Sequence, residues 1–374
     1  MSNRKQLMTV AIASPIPKQE KGGIATWTRA VIEEISGNGD FNCHHLNYAA
    51  QGRRGSDTTF LRRFTSGVKA TRNVIREFRQ IRPKCDVLHI CSSASLGLAR
   101  DIRLLRLARK NNLPTIIHWH FSRIPELQRK NNWEWKLLLI ACRLADSIIV
   151  LDELSLKALE QTGIANSVIK IPNPIAQDTM IHRNDEVKVV PNTILFVGNV
   201  MPYKAVDVLV KACSNMRDNI RLKIVGDFAE GYHQELMRIA SKRPGDWIKF
   251  TGGITHEQVL IEMHKCSVFT LPSRHTEAFP FVLIEAMTLG KPTVVTAVGA
   301  MPEMVAKNGE PACGIVVPPE DVSALQAALE RLLADDKLRN DLGEQAQLRA
   351  LTNYSMDAVV GKLYDLWRST TLNN

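Results

Sequence analysis

No two cysteines in this chain form a Cys-x-x-Cys pair, and its seven cysteines are an odd, scattered set at positions 43, 85, 91, 142, 213, 266 and 313. That makes a disulfide framework or a zinc site unexpected and suits a reducing compartment. Several lie in apolar, strand-like surroundings, where a free cysteine behaves as a small hydrophobe. Long apolar runs are missing as well. The longest candidate, Leu137 to Cys142, stops at Arg143, well short of the roughly 20 residues that span a bilayer. The basic start, MSNRKQLMTVAIASP, leads into an apolar stretch that reads as a first strand and not as a secretory signal. A cytoplasmic protein is expected.

Familiar catalytic signatures are absent too. There is no Walker A loop, no G-x-S-x-G, no H-E-x-x-H and no G-x-G-x-x-G after a strand, which disfavours a P-loop ATPase and a dinucleotide dehydrogenase. No Asp-x-Asp occurs to hold a divalent metal, so no metal or other cofactor is expected. Negative charge is scarce in one half only. Residues 1–190 hold 29 Lys and Arg against 17 Asp and Glu, a net +12, whereas the remainder holds 19 against 21, a net −2. The excess is densest from Arg53 to Lys84, with ten basic residues and two acidic ones. This is either a solvated helix face or a binding surface. It lacks the interleaved aromatics and motifs of a nucleic-acid site, so no nucleic-acid partner is expected. An anionic membrane surface or an acidic, lipid-linked substrate fits better.

What is present is a regular alternation. At 374 residues, with 45% hydrophobic and 23% charged, the chain suits two globular domains. In the first half, Met8–Ala13, Asn42–Leu46, Val87–Cys91, Thr115–His118 and Ser147–Leu151 read as strands, separated by helical patterns near 24–35, 61–81, 98–110, 133–144 and 153–161. A polar stretch with three prolines, 170–192, breaks the rhythm, and 176–192 is the expected linker. Strands then resume at Thr193–Val197, Leu222–Val225, Ile248–Phe250, Val268–Leu271, Thr293–Thr296 and Gly314–Val317, before three closing helical patterns. Strand–helix alternation argues for an α/β fold of two Rossmann-like, doubly wound parallel sheets, with domains at 1–175 and 193–354. Ligands of such sheets bind beyond the carboxyl ends of the strands, and two such domains are expected to face each other across a cleft.

Four stretches carry candidate chemistry. Gly22 and Gly23 follow the first strand and precede a helix; glycines there let the backbone approach an anion at a helix start, though such turns are also common structural devices. In PTIIHWHF, His118 and His120 alternate at the end of a strand and share one face. In FVGNVMPYKAVDVLV, Asn199 lies in a strand–helix turn, and Lys204 leads the helix, where it could reach a phosphate or simply be a surface lysine. In RHTEAFPFVLIEAMTLGKP, Pro280 suits the first turn of a helix whose amides would face an anion. Glu277 lies on the loop before that helix and Glu285 about one turn inside it. Both can border one pocket, or serve only as favourable charges at a helix start.

Taken in this order, the pieces resemble a retaining glycosyltransferase of family 4 with the two-domain GT-B architecture. The specific part is LPSRHTEAFPFVLIEAMTLGKPTVVTAVGAMPEMV, with its Glu-x7-Glu pair, Gly-Lys-Pro and later Gly-x-x-Pro-Glu. FVGNVMPYKAVDVLV is similar to the family's strand–turn–helix, VIKIPNPI to the close of the first domain, and the Gly-Gly turn and His120 to the N-terminal pattern. The resemblance runs from about residue 8 to 350. It also implies that the last helix, from about 355 to 374, crosses back to the N-terminal domain.

Position by position, the resemblance implies that Glu277 contacts the donor sugar and Glu285 accepts hydrogen bonds from the ribose. Backbone amides from Phe281 through Val282 to Leu283 would meet the diphosphate, Lys204 would neutralise it, Gly22 and Gly23 would approach it, and His120 would stand near the sugar and the acceptor. Charge that builds on the leaving oxygen would be stabilised by lysine and helix-end amides in place of a metal. Two departures stand out: Asn199 replaces the usual arginine and Ala205 a glycine. Arg274 is a candidate to compensate for the lost bidentate donor. The implied activity is metal-independent, retaining transfer of a hexose or N-acetylhexosamine from a nucleotide-diphosphate sugar, UDP-linked in preference to GDP-linked. The acceptor would be a glycan or lipid-linked molecule in bacterial cell-surface polysaccharide assembly, and the enzyme could dock peripherally on the inner membrane face. A sugar-phosphate synthase, a nucleotide-sugar epimerase and a non-catalytic sugar-nucleotide-binding protein remain as rivals.

Overall fold

Apolar runs that are buried on both faces are the mark of strands in a parallel sheet covered by helices. In the computed structural model each such run becomes a strand. The structure describes residues 7–17, 22–37, 39–49, 60–164, 166–182, 187–216, 219–307 and 309–372, with the side chains of 60–66 left out. Arg53 and Arg54 of the basic run, and 183–186 of the expected linker, therefore lie outside the described residues. The chain divides into two units, Met1–Pro172 with Val359–Asn374, and Asn173–Ala358.

In the first unit, strands β1 (Met8–Ser14), β2 (Phe41–Asn47), β3 (Val87–Ser92), β4 (Thr115–Trp119), β5 (Ser147–Val150) and β6 (Ser167–Lys170) alternate with helices α1 (Gly23–Gly37), α2 (Phe60–Ile81), α3 (Leu98–Arg109), α4 (Ile124–Lys130), α5 (Trp133–Leu144) and α6 (Glu153–Glu160). The sheet is parallel throughout, in the order β2-β1-β3-β4-β5-β6. β3, β4 and β5 are buried at every position. β6 and α4 are additions to the sequence reading. β6 is a four-residue edge strand with one exposed and three half-buried positions, so it has no apolar run to betray it.

The second unit holds α7 (Gln177–Ile181), β7 (Thr193–Val197), α8 (Val206–Ser214), β8 (Arg221–Val225), α9 (Tyr232–Ala240), β9 (Ile248–Phe250), α10 (His256–Lys265), β10 (Val268–Leu271), α11 (Phe281–Thr288), β11 (Thr293–Thr296), α12 (Met301–Val305), β12 (Gly314–Val317), α13 (Val322–Ala334) and α14 (Asp336–Tyr354). Its parallel sheet runs β12-β11-β10-β7-β8-β9. That is the dinucleotide-fold order, whereas the first sheet begins in the flavodoxin-like manner. The order reverses at β7 and β10 in the second sheet and at β1 and β3 in the first. Loops leaving those strands diverge to opposite faces and open a crevice at the carboxyl edge.

The last helix, α15 (Met356–Leu372), contributes its residues from Val359 onward to the first unit. Tyr364 stacks on Phe41 with ring centroids 4.3 Å apart. Arg368 pairs with Asp40 at 3.1 Å, and the hydroxyls of Thr370 and Ser147 meet at 3.2 Å. Trp367 is fully buried.

At the carboxyl edge of the second sheet, Gly226 takes φ of +138°, and a Cβ there would lie 1.9 Å from the Gly198 carbonyl oxygen. Gly245 also has a positive φ, +89°, but its Cβ would meet nothing within 4 Å. Gly226→Ala is therefore expected to cost about 3 kcal/mol or more, since strain and overlap add, against about 1 kcal/mol for Gly245→Ala. Urea unfolding of the two variants checks the difference.

Candidate functional site

Lys204 and Glu277 lie 73 residues apart, yet Lys204 Nζ stands 2.6 Å from Glu277 Oε1. Lys204 ends the turn that leaves β7, and Glu277 sits on the loop leaving β10, so the pair forms where the strand order reverses. Both side chains are largely buried, at 16% and 12% exposure. The buried Ser273 hydroxyl donates to the same Oε1 at 2.5 Å. Three features hold this carboxylate. Ala300 N–H donates to the Glu277 carbonyl at 3.1 Å. Gly299, with φ of +55°, passes so close that a Cβ would lie 2.2 Å from that carbonyl oxygen. Phe279 then takes φ of +57°, in the left-handed region that costs an L-residue about 1 kcal/mol, and buries its ring against Tyr354 at 5.1 Å.

α11 starts directly after this bend. Pro280 is its N-cap, with extended ψ of 124°, and not a residue of the first turn as its sequence position suggested. Leu283 N–H donates to the Pro280 carbonyl at 3.0 Å. Of the three amides implicated by sequence, Phe281 and Val282 alone keep N–H groups with no backbone partner among the described residues. An anion at this end would meet those two amides and the positive end of the helix dipole. Glu285 lies one turn in, 9% exposed at its side chain, with Oε1 3.0 Å from His256 Nε2.

Arg274, the candidate to compensate for Asn199, is engaged with other groups of the second unit. Its Nη2 reaches both Asp207 oxygens, at 2.9 and 3.1 Å, and Nη1 donates to the Pro202 carbonyl. Its Nε faces Glu320 at 2.9 Å as an ion pair without hydrogen-bond alignment. The guanidinium ties the β10 loop to the start of α8, while Asn199 stays exposed. Against the opposing effect of burial, Asp207 is held below the usual carboxylate range by the hydrogen bond that Tyr232 donates to it and by Arg274. Ala205, at the expected glycine, takes φ of +53° as the N-cap of α8, so the position keeps its left-handed conformation without the residue best suited to it.

In the first unit, Gly22 and Gly23 are exposed where α1 begins, and a Cβ at either would meet nothing within 4 Å. Thr28 of α1 donates to Ser14 at the end of β1 at 2.9 Å. His118 and His120 pack ring to ring, 3.9 Å between centroids, with Trp27 about equally near both, at 5.0 and 5.1 Å. His89, which the sequence did not single out, completes the group. Trp367 Nε1–H donates to His89 Nδ1 at 3.1 Å, so His89 carries its proton on Nε2, 3.3 Å from His118 Nδ1. That proton occupies the direction a metal would need, although His89, Cys91 and His118 stand close enough for ligands, within 4.8 Å. His118 Nε2 and His120 Nε2 are shut off from solvent and have no hydrogen-bond partner among the described residues.

All three imidazoles are uncharged near neutrality. Burial pushes His89 and His120 down to about 3, and His118 well below its ordinary value, with the neighbouring histidines adding to the effect. Each pKa is lower in the folded chain than in the unfolded one, so the stability they contribute is present above about pH 6.5 and lost as pH falls through the folded values. Unfolding in mild acid is expected to take up close to three extra protons, steepening the decline by about 1.4 kcal/mol per pH unit for each histidine. Urea melts between about pH 6.5 and 4 measure this, and a flat profile contradicts it.

Known proteins agree with this frame. The model for glycosyl transferases group 1 matches residues 178–349, and that for glycosyltransferase family 4 matches residues 31–179. A lipopolysaccharide 1,2-N-acetylglucosaminetransferase of Salmonella typhimurium is 25% identical over 71% of this chain and 68% of its own. An exopolysaccharide phosphotransferase of Streptomyces coelicolor is 29% identical over 62% of this chain but only 24% of its own length. Other curated relatives are likewise matched over less than two thirds of their length. Among solved structures, a sucrose-phosphate synthase from Thermosynechococcus elongatus superposes with a TM-score of 0.77 at 19% identity, covering 98% of this chain and all of the other. HepE of Anabaena, solved in complex with UDP-glucose, gives a TM-score of 0.70 at 16% identity over 97% of this chain and all of its own. With both of its halves matched, one by each model, the chain belongs to the family 4 glycosyltransferases and has their GT-B fold.

Proposed function

We propose that the protein transfers a hexose or N-acetylhexosamine from a nucleotide-diphosphate sugar to a glycan or lipid-linked acceptor in the assembly of a cell-surface polysaccharide, with retention and without a metal. The observation that carries this reading is the Lys204–Glu277 pair beside the open amides of α11. Breaking a sugar–diphosphate bond places negative charge on the departing oxygen. Lys204 Nζ and the Phe281 and Val282 amides offer that oxygen pre-oriented donors. Glu277 Oε1 is occupied by Lys204 and Ser273. Its Oε2 is therefore the acceptor left for sugar hydroxyls, close to the carbon that becomes positive. No nucleophilic side chain is required if the departing oxygen takes the acceptor's proton, on the face it leaves. HepE's complex with UDP-glucose supports a UDP-linked donor, and the Salmonella relative's acceptor class supports a lipopolysaccharide context.

The acceptor side draws on a second observation. Lys69, Arg72, Arg76 and Arg79 of α2 are all exposed and spaced by three, four and three residues, which places four cations along one helix face, opposite the buried Val74, Ile75 and Phe78. No helix among the described residues is long and apolar enough to cross a membrane. A cationic stripe of this kind suits docking on the anionic inner face of the membrane, at about 1 kcal/mol per side chain. A small soluble acceptor would not need such a face.

Glu277→Ala and Lys204→Ala should each lower transfer from a radiolabelled UDP-sugar about 100- to 1,000-fold while circular dichroism stays unchanged; near-normal turnover in both sinks the proposal. On flotation, the wild type should rise with anionic liposomes and be released by salt, and replacement of the four α2 cations by Gln should abolish the association. Equal flotation with neutral vesicles removes the membrane claim and leaves the donor chemistry untouched.

A further inference from the structure

His256 has no role in the sequence reading, yet it stands between two carboxylates. It is the first residue of α10, held there by a capping box in which Thr255 and Gln258 exchange side-chain and backbone hydrogen bonds. Its Nε2 lies 3.0 Å from Glu285 Oε1 on α11, and its Nδ1 lies 3.4 Å from Asp178 Oδ2 on α7. A neutral ring can donate through one nitrogen only. Satisfying both contacts takes the imidazolium, with a proton on each nitrogen. Glu285 is nearly sealed from water, whereas His256 is one-third exposed. A carboxylate in that position is costly to leave without a cation, and His256 is the group that supplies one.

We infer that His256 is a positioning residue of the donor site, which aims the Glu285 carboxylate at the ribose of a nucleotide donor and offsets its charge so that a dianionic diphosphate can bind nearby. This rests on the proposed role of Glu285. The hydrogen bond that the ring donates to Glu285, the charge of that carboxylate and Asp178 together hold the ring's pKa above its ordinary 6.5 against partial burial. Glu285 and Asp178 are the charged groups bonded to it among the described residues. Because the folded pKa is raised, the cation persists to higher pH than on a free imidazole and is lost as pH rises through the folded value. Donor affinity then falls with rising pH, because Glu285 becomes an uncompensated negative charge. Glu285 Oε2 remains open to a ribose hydroxyl throughout, so the imidazolium supports the ribose contact and does not compete with it.

The test is calorimetric titration with UDP-glucose and GDP-mannose, whose diphosphates carry no ionisation near neutrality, between about pH 6 and 8.5. Wild-type Kd for the nucleotide sugar that binds should rise about three- to tenfold across that range. His256→Gln keeps a donor near the Nε2 position but does not titrate, so its Kd should stay flat and near the wild-type value at high pH. His256→Leu, which neither donates nor titrates, should bind about tenfold more weakly than the wild type at the low-pH end with a Kd that stays flat as pH rises, raising the donor KM with little change in kcat. Thermal melts of both variants confirm folding at this partly exposed position. Glu285→Gln is the control. If it leaves affinity unchanged, the ribose role of Glu285 fails and the inference goes with it. If Glu285→Gln weakens binding while His256→Leu keeps wild-type affinity and pH dependence, only the inference about His256 is overturned. Binding of neither nucleotide sugar to the wild type overturns the donor reading and this inference together.

Discussion

Lys204 and Glu277 meet only because β7 and β10 are neighbours in the second sheet while their following loops leave in different directions. Much of the surrounding structure serves that contact. Ser273 supplies a second donor to the carboxylate, Gly299 and Ala300 lock its backbone, and the left-handed Phe279 turns the chain into α11. A charged pair this poorly exposed is worth little to stability in itself, because the cost of drying two charges offsets their attraction. It makes more physical sense as a preformed acid–base surface. One end of a ligand would find a cation and open amides, and the other a carboxylate with a free oxygen. Arg274 contributes from behind, bracing the Lys204 turn through Asp207 and the Pro202 carbonyl.

The first unit solves a different problem. Its strands β3 and β4 and the residue just past β4 carry three histidines that burial keeps uncharged, with a directional chain running from Trp367 through His89 to His118. The tryptophan at the head of that chain lies on the last helix of the protein. The closing segment of sequence therefore does more than cover apolar surface: it sets which nitrogen of His89 bears the proton. The same helix stacks Tyr364 on Phe41 beside the first sheet. The two sheets also differ in strand order, so resemblance between the halves is one of layering and not of identical topology.

The sequence disclosed what depends on local pattern and hid what depends on convergence. Eleven of the strands announce themselves as short apolar runs between amphipathic helices, and the Glu-x7-Glu stretch marks the helix mouth. β6 stayed hidden because an edge strand needs only partial burial. Pro280 was placed one residue too far into its helix, since a proline fits both the N-cap and the first turn. The partners of Arg274 are not legible, because nothing local shows that Asp207, 67 residues earlier, and Glu320, 46 residues later, close on it. His89 lies inside a buried strand and His256 starts a helix, and nothing in the local pattern marks either. Their partners come from other elements, and periodicity carries no information about those.

A co-crystal structure with the nucleotide sugar that binds is the measurement that bears most directly on the central claim. The account predicts a diphosphate within hydrogen-bond reach of Lys204 Nζ and the Phe281 and Val282 amides, with the sugar against Glu277 and the ribose against Glu285. A nucleotide bound elsewhere, with the Lys204–Glu277 pair closed as it is here, would contradict it.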